Sequence, residues 1–552
     1  MRKKLKYILG QLPFAVEAYW YLRQNGKPTG GFSFQKLRQA IPQWREEGLV
    51  YRRPQKGKRI LLFATLRYWL EHAVLLGMSL GALGHEVYLA YLPYANWQKP
   101  ISAFDLRRQN MFVRFVLAQA QPLLKVVPLL SLAAKPNLLP DSLREALEAL
   151  SLQDTQYTQQ VEDIPRNGKL YHLRMERNSQ AALAAINWMK KFQPDEVILP
   201  SGSILEFGAI YHAARYLDIP AVSYEFGEQR QRIWFSLNSP VMHQDTNELW
   251  QVYSEKPLTY EQLERIQNLF SSRQKASLWE NFARQWQEVA GEGGQQMKAS
   301  LHLDERPVVL LAANVIGDSL TLGRQVFTKS MTEWLTHTAQ DFAQRKDIQF
   351  LVRIHPGERY TTGPSVAEIF KQSLSECSHS AFECEHSHSA FECEHSEVQP
   401  FPEHIHLIDA DAPVNTYDLI QIANLGLVYT TTVGLEMALS GVPTIVVGNS
   451  HYRSRGFTLD PSSWDEYQQQ LAQVMYNPNR FRLSHNQVEL AWRYAYHFFF
   501  DYPMPFPWHL WHFWLDVKEW SLARVLSDEG QALFGETFRC LTGEARHWQE
   551  AE

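Results

Sequence analysis

The stretch from Tyr429 to Tyr452, YTTTVGLEMALSGVPTIVVGNSHY, decides the fold. It starts at the end of an apolar strand and passes through three threonines into a short helical pattern. That pattern stops at Gly441-Val442-Pro443, and an apolar strand, TIVV, follows. A strand, a helix and a second strand in this order predict two parallel strands joined by a right-handed crossover. The hydroxyls and the single acid, Glu436, at the start of the helix raise the question of a bound ligand.

The same alternation of strands and helices occurs in two series along the chain. Strand-like apolar runs of the first series lie at 59–66, 85–94, 194–202 and 219–229. Those of the second series lie at 306–317, 347–358, 404–413, 425–429 and 444–448. With 552 residues the chain is too long for one compact core. The sequence therefore predicts an α/β fold of two Rossmann-like, doubly wound domains that face a cleft.

The predicted domain boundaries follow changes in composition. The parts are a basic helical extension (1–58), a first Rossmann-like domain (59–295), a second (296–480) and aromatic-rich C-terminal helices that pack back on the first domain (481–552). The second domain carries an insertion at 373–399, in which SHSAFECEH occurs twice in tandem. A duplicated surface loop and a metal site are the two interpretations of this repeat. The pairings C-x₂-C and H-x₃₋₅-H are absent, which favours the loop.

Composition excludes several classes of protein. The net charge is −5, which argues against nucleic acid as the general partner. No apolar run approaches the roughly 20 residues that span a bilayer, and the N-terminus lacks the features of a signal peptide. Three of the four cysteines lie in the insertion 373–399, which is no disulfide framework and suits the cytoplasm.

Positive charge is concentrated at the N-terminus. The first 58 residues contain thirteen Lys or Arg and three Glu, a local net charge of +10. One interpretation is attraction to the anionic inner face of the cell membrane, and the other is a solvated helical cap. The aromatic segment 492–520, with thirteen Trp, Tyr or Phe, likewise indicates either an interfacial segment or core packing, and core packing is favoured.

Polar residues follow the predicted strands of the second domain, where ligands of open α/β sheets bind. They are Asn314, Asp318, Arg353, His355, Asp409, Asp411, Thr430, Thr431, Thr432, Gly434, Glu436, Asn449, His451 and Tyr452. Asp409-Ala410-Asp411 matches the metal-binding DxD of some sugar transferases over only three residues. Its place before NTYDL instead predicts a loop that contacts a base, so we predict no metal site.

These residue types favour phosphate binding. Backbone N–H groups and the hydroxyls of Thr431 and Thr432 can donate to an anion, and Gly434 would let a phosphate approach closely. Arg353 and His355 would add positive charge. Glu436 could accept hydrogen bonds from ribose hydroxyls. The structural alternative is that the threonines cap the helix and that Glu436 favours its positive end.

The run from LVRIHPGE to NSHYRSRGF resembles the capsule polysaccharide biosynthesis family of GT-B glycosyltransferases. The shared motifs are His355-Pro356, the turn Thr430 to Thr432, Gly434 with Glu436, Gly441 with Pro443 and Gly448 with Tyr452. They cover roughly 150 residues, with threonines where the family more often has serines. The resemblance implies a nucleotide-sugar donor in the second domain and a glycan or lipid-linked acceptor in the first, with no cofactor beyond the donor.

Transfer to an acceptor needs a base that takes the proton of its hydroxyl. Glu225 directly follows the strand AVSY and is the first candidate, and His72 is the second; Glu71, Glu206 and Glu228 are further candidates. We therefore predict an inverting, metal-independent transfer in which Arg353, His355 and the threonine turn stabilise the leaving phosphate. Two alternatives remain open: a sugar-nucleotide 2-epimerase of the same fold, and a non-catalytic polysaccharide assembly subunit that binds no nucleotide.

Overall fold

The computed structural model describes residues 2–24, 32–54, 56–132, 139–282, 285, 287–383, 401–478, 480–546 and 548. The chain forms two compact units. The first comprises Met1–Thr155, Pro165–Asp245 and Pro503–Glu552, and the second comprises Gln156–Ile164 and Thr246–Tyr502.

The first unit contains a seven-stranded sheet. Its strands are β1 (Arg59–Thr65), β2 (Glu86–Leu92), β3 (Lys125–Pro128), β4 (Glu196–Pro200), β5 (Ala221–Glu225), β6 (Arg232–Leu237) and β12 (Met504–Pro505). The order is β12-β6-β5-β4-β1-β2-β3. Strands β1 to β5 are parallel, whereas β6 and β12 add an antiparallel edge. The parallel part therefore has the Rossmann order 3-2-1-4-5.

The second unit contains a five-stranded sheet. Its strands are β7 (Val308–Ala312), β8 (Gln349–Arg353), β9 (Ile405–Ile408), β10 (Leu425–Val428) and β11 (Thr444–Val446). The order is β11-β10-β7-β8-β9, and all pairs are parallel. This is again 3-2-1-4-5 when the strands are counted within the unit. The strand order and parallel pairing in both units confirm the prediction of two Rossmann-like domains. The prediction was possible because apolar runs buried on both faces are typical of parallel strands.

Helices connect the strands. Those of the first unit are α1 (Arg2–Gln11), α2 (Ala15–Tyr19), α3 (Gln35–Val50), α4 (Arg67–Ala82), α5 (Ala103–Leu117), α6 (Asp141–Gln159, whose end lies in the second unit), α7 (Lys169–Phe192), α8 (Leu205–Tyr216), α18 (Phe513–Glu519), α19 (Leu522–Leu526) and α20 (Asp528–Leu541). Those of the second unit are α9 (Asn247–Tyr253), α10 (Tyr260–Gln274), α11 (Gly294–Ser300), α12 (Met331–Ala343), α13 (Val366–Glu383), α14 (Thr416–Ile422), α15 (Val433–Leu439), α16 (Trp464–Tyr476) and α17 (His485–Tyr496).

The structure divides the chain at other positions than the composition indicated. The main segment of the second unit begins at Thr246 rather than near 296, because α10 packs inside it: the Phe270 ring lies 5.7 Å from that of Trp492 and 5.8 Å from that of Phe499. The last segment of the first unit begins at Pro503. Most of the duplicated repeat lies outside the described residues.

The aromatic C-terminal segment is largely buried. Phe498, Phe506 and Trp508 are at most 3% exposed, whereas Trp511 is 60% exposed. Among the described residues, no helix has the length and apolar character that a membrane crossing requires. These side chains support the interpretation of the segment as core.

Candidate functional site

The switch point of the second unit lies between β7 and β10, where the chain leaves the sheet in opposite directions. Asn314 follows β7, and its Oδ1 accepts a hydrogen bond of 3.0 Å from the backbone N–H of Thr430, which follows β10. The Thr430 hydroxyl donates to the Leu320 carbonyl at 2.8 Å. Both residues are buried. Asn314 therefore joins the two loops on which a ligand at this edge would rest.

The next two threonines are more accessible. Thr431 and Thr432 are half-buried. The Thr431 Oγ1 accepts a hydrogen bond from the Val433 N–H at 3.4 Å, and its carbonyl accepts one from the Tyr452 hydroxyl at 2.5 Å. Among the described residues, the Thr432 side chain makes no hydrogen bond that caps α15. Because α15 is only seven residues long, an anion at this turn would depend more on the threonine hydroxyls than on the helix dipole.

Gly434 has a packing role that the sequence did not indicate, and its contact with a phosphate stays a prediction. It is buried, and a Cβ added to it would overlap the Tyr452 hydroxyl and lie 2.8 Å from Val428 Cγ2. The space that a Gly434 side chain would fill is thus occupied by Tyr452. The glycine lets Tyr452 reach the Thr431 carbonyl and so holds the threonine turn in place.

Glu436 forms a buried ion pair that the sequence did not indicate. Its Oε1 accepts a hydrogen bond of 2.8 Å from Arg273 Nη1, and the two side chains are 7% and 3% exposed. The Arg273 guanidinium lies over the rings of Phe270 and Phe499, 5.2 and 4.8 Å from their centres. Burial, and then the Glu436 carboxylate, raise the pKa of Tyr417 well above its usual range. Glu436 therefore belongs to a packed cluster, and its contact with a ribose stays a prediction.

Arg353 supports a neighbouring loop. Its Nη1 donates to the Asp409 carbonyl at 2.6 Å, and it is 4% exposed. Burial lowers the pKa of Arg353 to about 10. His355 is half-buried, and its Nδ1 accepts a hydrogen bond of 2.9 Å from the Gly357 N–H. Asp411, the predicted contact to a base, is exposed.

The sequence did not indicate two buried arginines of this region, Arg273 and Arg324. Arg273 lies on α10, in a stretch that the composition assigned to the first domain. Arg324 lies in the loop after β7 and is 7% exposed. Its backbone carbonyl accepts a hydrogen bond of 2.8 Å from the N–H of Asn449, in the loop after β11. Neither arginine has a motif or a strand end beside it, and no sequence signal marks them.

In the first unit, Glu225 is placed as the sequence predicted, at the carboxyl end of β5. It is half-buried, and burial raises the pKa of its carboxyl group to about 7. Its Oε1 accepts a hydrogen bond of 3.0 Å from the Phe226 N–H. A carboxyl group with a pKa near the working pH is suited to general acid–base chemistry.

His72, the second candidate base, is a core residue. Because α4 begins at Arg67, position 72 lies in the second turn and faces the sheet rather than following the strand end. The imidazole is fully buried, its Nε2 lies 3.3 Å from the Trp508 carbonyl, and its ring centre lies 5.0 Å from that of Phe226. Burial lowers its pKa to about 3. The structure argues against His72 as a base.

Of the three further acids considered, Glu71 and Glu206 are buried, whereas Glu228 is half-buried. Glu71 accepts a hydrogen bond of 3.3 Å from Trp514 Nε1, and burial raises its pKa. Glu206 forms an ion pair of 3.1 Å with Arg174. Within the described ranges, no group of three or more His, Cys, Asp or Glu side chains is arranged to hold a metal ion.

No family model matches the chain, and no curated protein matches it. Solved structures that resemble it include Thermosulfurimonas dismutans KpsC, a beta Kdo 2,4 transferase, with 13% identity, 54% of this chain and 78% of that chain covered, and a TM-score of 0.31. A UDP-GlcNAc 2-epimerase from Neisseria meningitidis has 12% identity, coverage of 78% and 94%, and a TM-score of 0.24. The calicheamicin glycosyltransferase CalG4 has 14% identity, coverage of 87% and 98%, and a TM-score of 0.23. At these values the similarity supports no functional inference.

Proposed function

We propose that the chain is a glycosyltransferase that moves a sugar from a nucleotide-sugar donor to a glycan or lipid-linked acceptor in surface polysaccharide biosynthesis. One observation carries the proposal: at the switch point of a Rossmann-ordered sheet, Asn314 fixes Thr430, and the half-buried Thr431 and Thr432 follow it directly in the loop after β10. Nucleotides bind at this edge of such sheets. The motifs of the capsule polysaccharide biosynthesis family fall on the same loops.

The donor is assigned to the second unit, as a substrate and not as a cofactor. Thr431, Thr432 and His355 would contact its phosphates, because they are half-buried hydrogen-bonding residues after β10 and β8 and none of them carries a negative charge. Asn314, Arg353 and Tyr452 would hold the loops that carry them. The ribose is assigned to Glu436 and the base to the loop with Asp411.

The acceptor is assigned to the first unit, with Glu225 as the general base. Glu225 takes the proton of the acceptor hydroxyl, whose oxygen bonds to the anomeric carbon of the donor sugar. The bond from that carbon to the phosphate oxygen breaks, and the nucleotide leaves with the bonding electrons. Direct displacement inverts the configuration of the carbon, and the step requires no metal in this proposal.

Thermal unfolding with CMP, UDP, GDP, CDP and dTDP tests the donor site. The nucleotide that binds should stabilise the protein by about 2.7 kcal/mol at a hundredfold excess over Kd. Thr432→Val should weaken that stabilisation, whereas Thr332→Val, at a half-buried threonine of α12, should leave it unchanged. If none of the five nucleotides shifts the transition, the non-catalytic subunit is the better account.

A second experiment separates transfer from epimerisation. Incubation with a UDP-sugar in the absence of any acceptor should leave the sugar unchanged, as followed by NMR. Conversion of the donor to its 2-epimer under these conditions would replace transfer by the epimerase activity of the alternative.

A further inference from the structure

Exposed apolar side chains are concentrated in the first 22 residues of the described chain. They are Leu5, Tyr7, Ile8, Leu12, Phe14, Tyr21 and Leu22, with exposed fractions from 48% for Leu12 to 82% for Leu22. Single exposed apolar residues are ordinary, but a cluster of this density on one segment indicates an interaction surface.

This segment is nevertheless fixed to the first unit. Lys6 Nζ forms an ion pair of 2.9 Å with Asp105 of α5. A Cβ added to Gly10 would lie 2.7 Å from the backbone N of Phe104, so the two helices approach closely at the glycine. Arg107 Nη1 donates to the carbonyls of Gly10 and Leu12 at 3.1 and 2.9 Å.

Helix α1 is therefore oriented with its apolar face outward. In an α-helix each residue turns by about 100°, so Lys6 and Gly10 share one face and Leu5 and Ile8 share another, and the exposed Leu12 directly follows the last residue of the helix. The first face packs on α5, whereas the second is exposed. A surface helix of a soluble protein has the reverse arrangement, with its apolar stripe toward the core.

Phe14 extends the exposed surface past the end of α1. Its backbone has a φ of 62°, a left-handed conformation that non-glycine residues seldom adopt, and its ring is 80% exposed. Val16 and Trp20 of the same segment are at most 2% exposed and anchor it. The ring of Phe14 is thus held in solvent by a segment that is itself packed.

The charge of this region indicates what covers the apolar face. Arg2, Lys3 and Lys4 lie in the first turn of α1, and the first 58 residues carry a net charge of +10. A second copy of the chain would bring the same positive charge to the interface, whereas an anionic lipid surface would compensate it. Apolar side chains on one face and cations beside them are the composition of helices that lie in a membrane interface.

We propose that α1 and the turn to Phe14 bind the surface of an anionic lipid bilayer, with Leu5, Ile8, Leu12 and Phe14 inserted among the lipids. The attachment is peripheral and does not require the proposed glycosyl transfer. The charge of the N-terminal segment left two interpretations open, and this proposal selects the membrane contact.

Vesicle co-sedimentation of the full chain tests the proposal. The wild type should bind phosphatidylcholine vesicles with about 30% phosphatidylglycerol more tightly than phosphatidylcholine alone, and less tightly as salt is raised. The variant L5Q/I8Q/L12Q should lower the partition coefficient at least about tenfold, since it removes three inserted side chains. A matched control, Y260Q/L278Q/Y476Q, replaces three exposed apolar residues of the second unit and should bind like the wild type.

Each outcome has a definite meaning. Both variants should keep the thermal transition and the nucleotide response of the wild type, because the replaced side chains are exposed. Failure of the wild type to bind either vesicle overturns the proposal, as does equal binding by L5Q/I8Q/L12Q. A dimer in light scattering that this variant abolishes, without lipid binding, would show a second copy as the occupant. The nucleotide screen is independent of all these results.

Discussion

At the scale of single residues, the ion pair of Glu436 and Arg273 governs how the proposed ribose contact can be tested. Removing one partner of a buried pair leaves the other charge uncompensated, at a cost of about 3–5 kcal/mol. Glu436→Ala should therefore lower the free energy of unfolding by this amount in denaturant titrations. Glu436→Gln keeps an oxygen that can accept from Arg273 and should cost less. Equal midpoints for Glu436→Ala and the wild type would contradict the burial of the pair.

Glu225 links stability to the proposed chemistry. Its folded pKa of about 7 lies above the value of about 4.5 for an unfolded glutamate, so its contribution to stability is present below pH 4.5 and lost as pH rises through 7. Glu225→Gln should be more stable than the wild type above pH 7, by about 1–2 kcal/mol once solvent screening of this half-buried group is allowed for.

The same substitution should also lower kcat by about 10²–10⁴-fold, the usual contribution of a general base. The wild-type rate should fall below pH 7, as the carboxylate is protonated, and the variant should lose this acid limb. A variant with unchanged kcat and an unchanged pH profile would exclude Glu225 as the base.

His72 has the opposite dependence on pH. Its folded pKa of about 3 lies below the unfolded value of about 6.5, so stability is lost as pH falls from 6.5 toward 3, by up to about 4 kcal/mol. His72→Phe should flatten the decline in unfolding free energy over this range. His485→Phe, at a side chain that is 85% exposed, is the control and should leave the decline unchanged. A steep decline retained in His72→Phe would show that the imidazole is not held neutral.

At the scale of elements, helix α12 depends on a segment far from it in the chain. Both carboxylate oxygens of Glu162 accept hydrogen bonds from the first turn, from Met331 N at 2.9 Å and Thr332 N at 2.8 Å. Glu162→Ala should lower the free energy of unfolding by about 1 kcal/mol, as loss of a cap does. Asp163→Ala, at the exposed neighbouring position, should change it little. Equal effects of the two substitutions would mean that charge, and not the cap, is responsible.

The elements show which features a sequence can predict. The parallel strands were predictable because Val, Ile and Leu runs buried on both faces leave no polar alternation. Strand β12 has only two residues, too few for any pattern. The partner of Glu436, Arg273, lies 163 positions away in sequence, on α10. Local periodicity carries no information about such a pair.

At the scale of the whole molecule, two separate cores imply that one free energy of unfolding does not describe the stability of both units. The first unit packs around β1, where Leu62 is fully buried, and the second around β10, where Leu427 is fully buried. Proteins with more than one core often unfold in more than one transition. Leu62→Ala and Leu427→Ala should each cost about 2–5 kcal/mol, and each should lower the midpoint of a different transition.

A bound nucleotide then reports which unit holds it. A ligand stabilises only the unfolding step that releases it, so a nucleotide in the second unit should raise the transition that Leu427→Ala lowers. The transition that Leu62→Ala lowers should stay where it is. Fluorescence-detected denaturation of both variants, with and without the nucleotide selected by the screen, makes this comparison. If the nucleotide raised the transition marked by Leu62→Ala instead, the donor would belong to the first unit and the assignment of the threonine turn would be wrong.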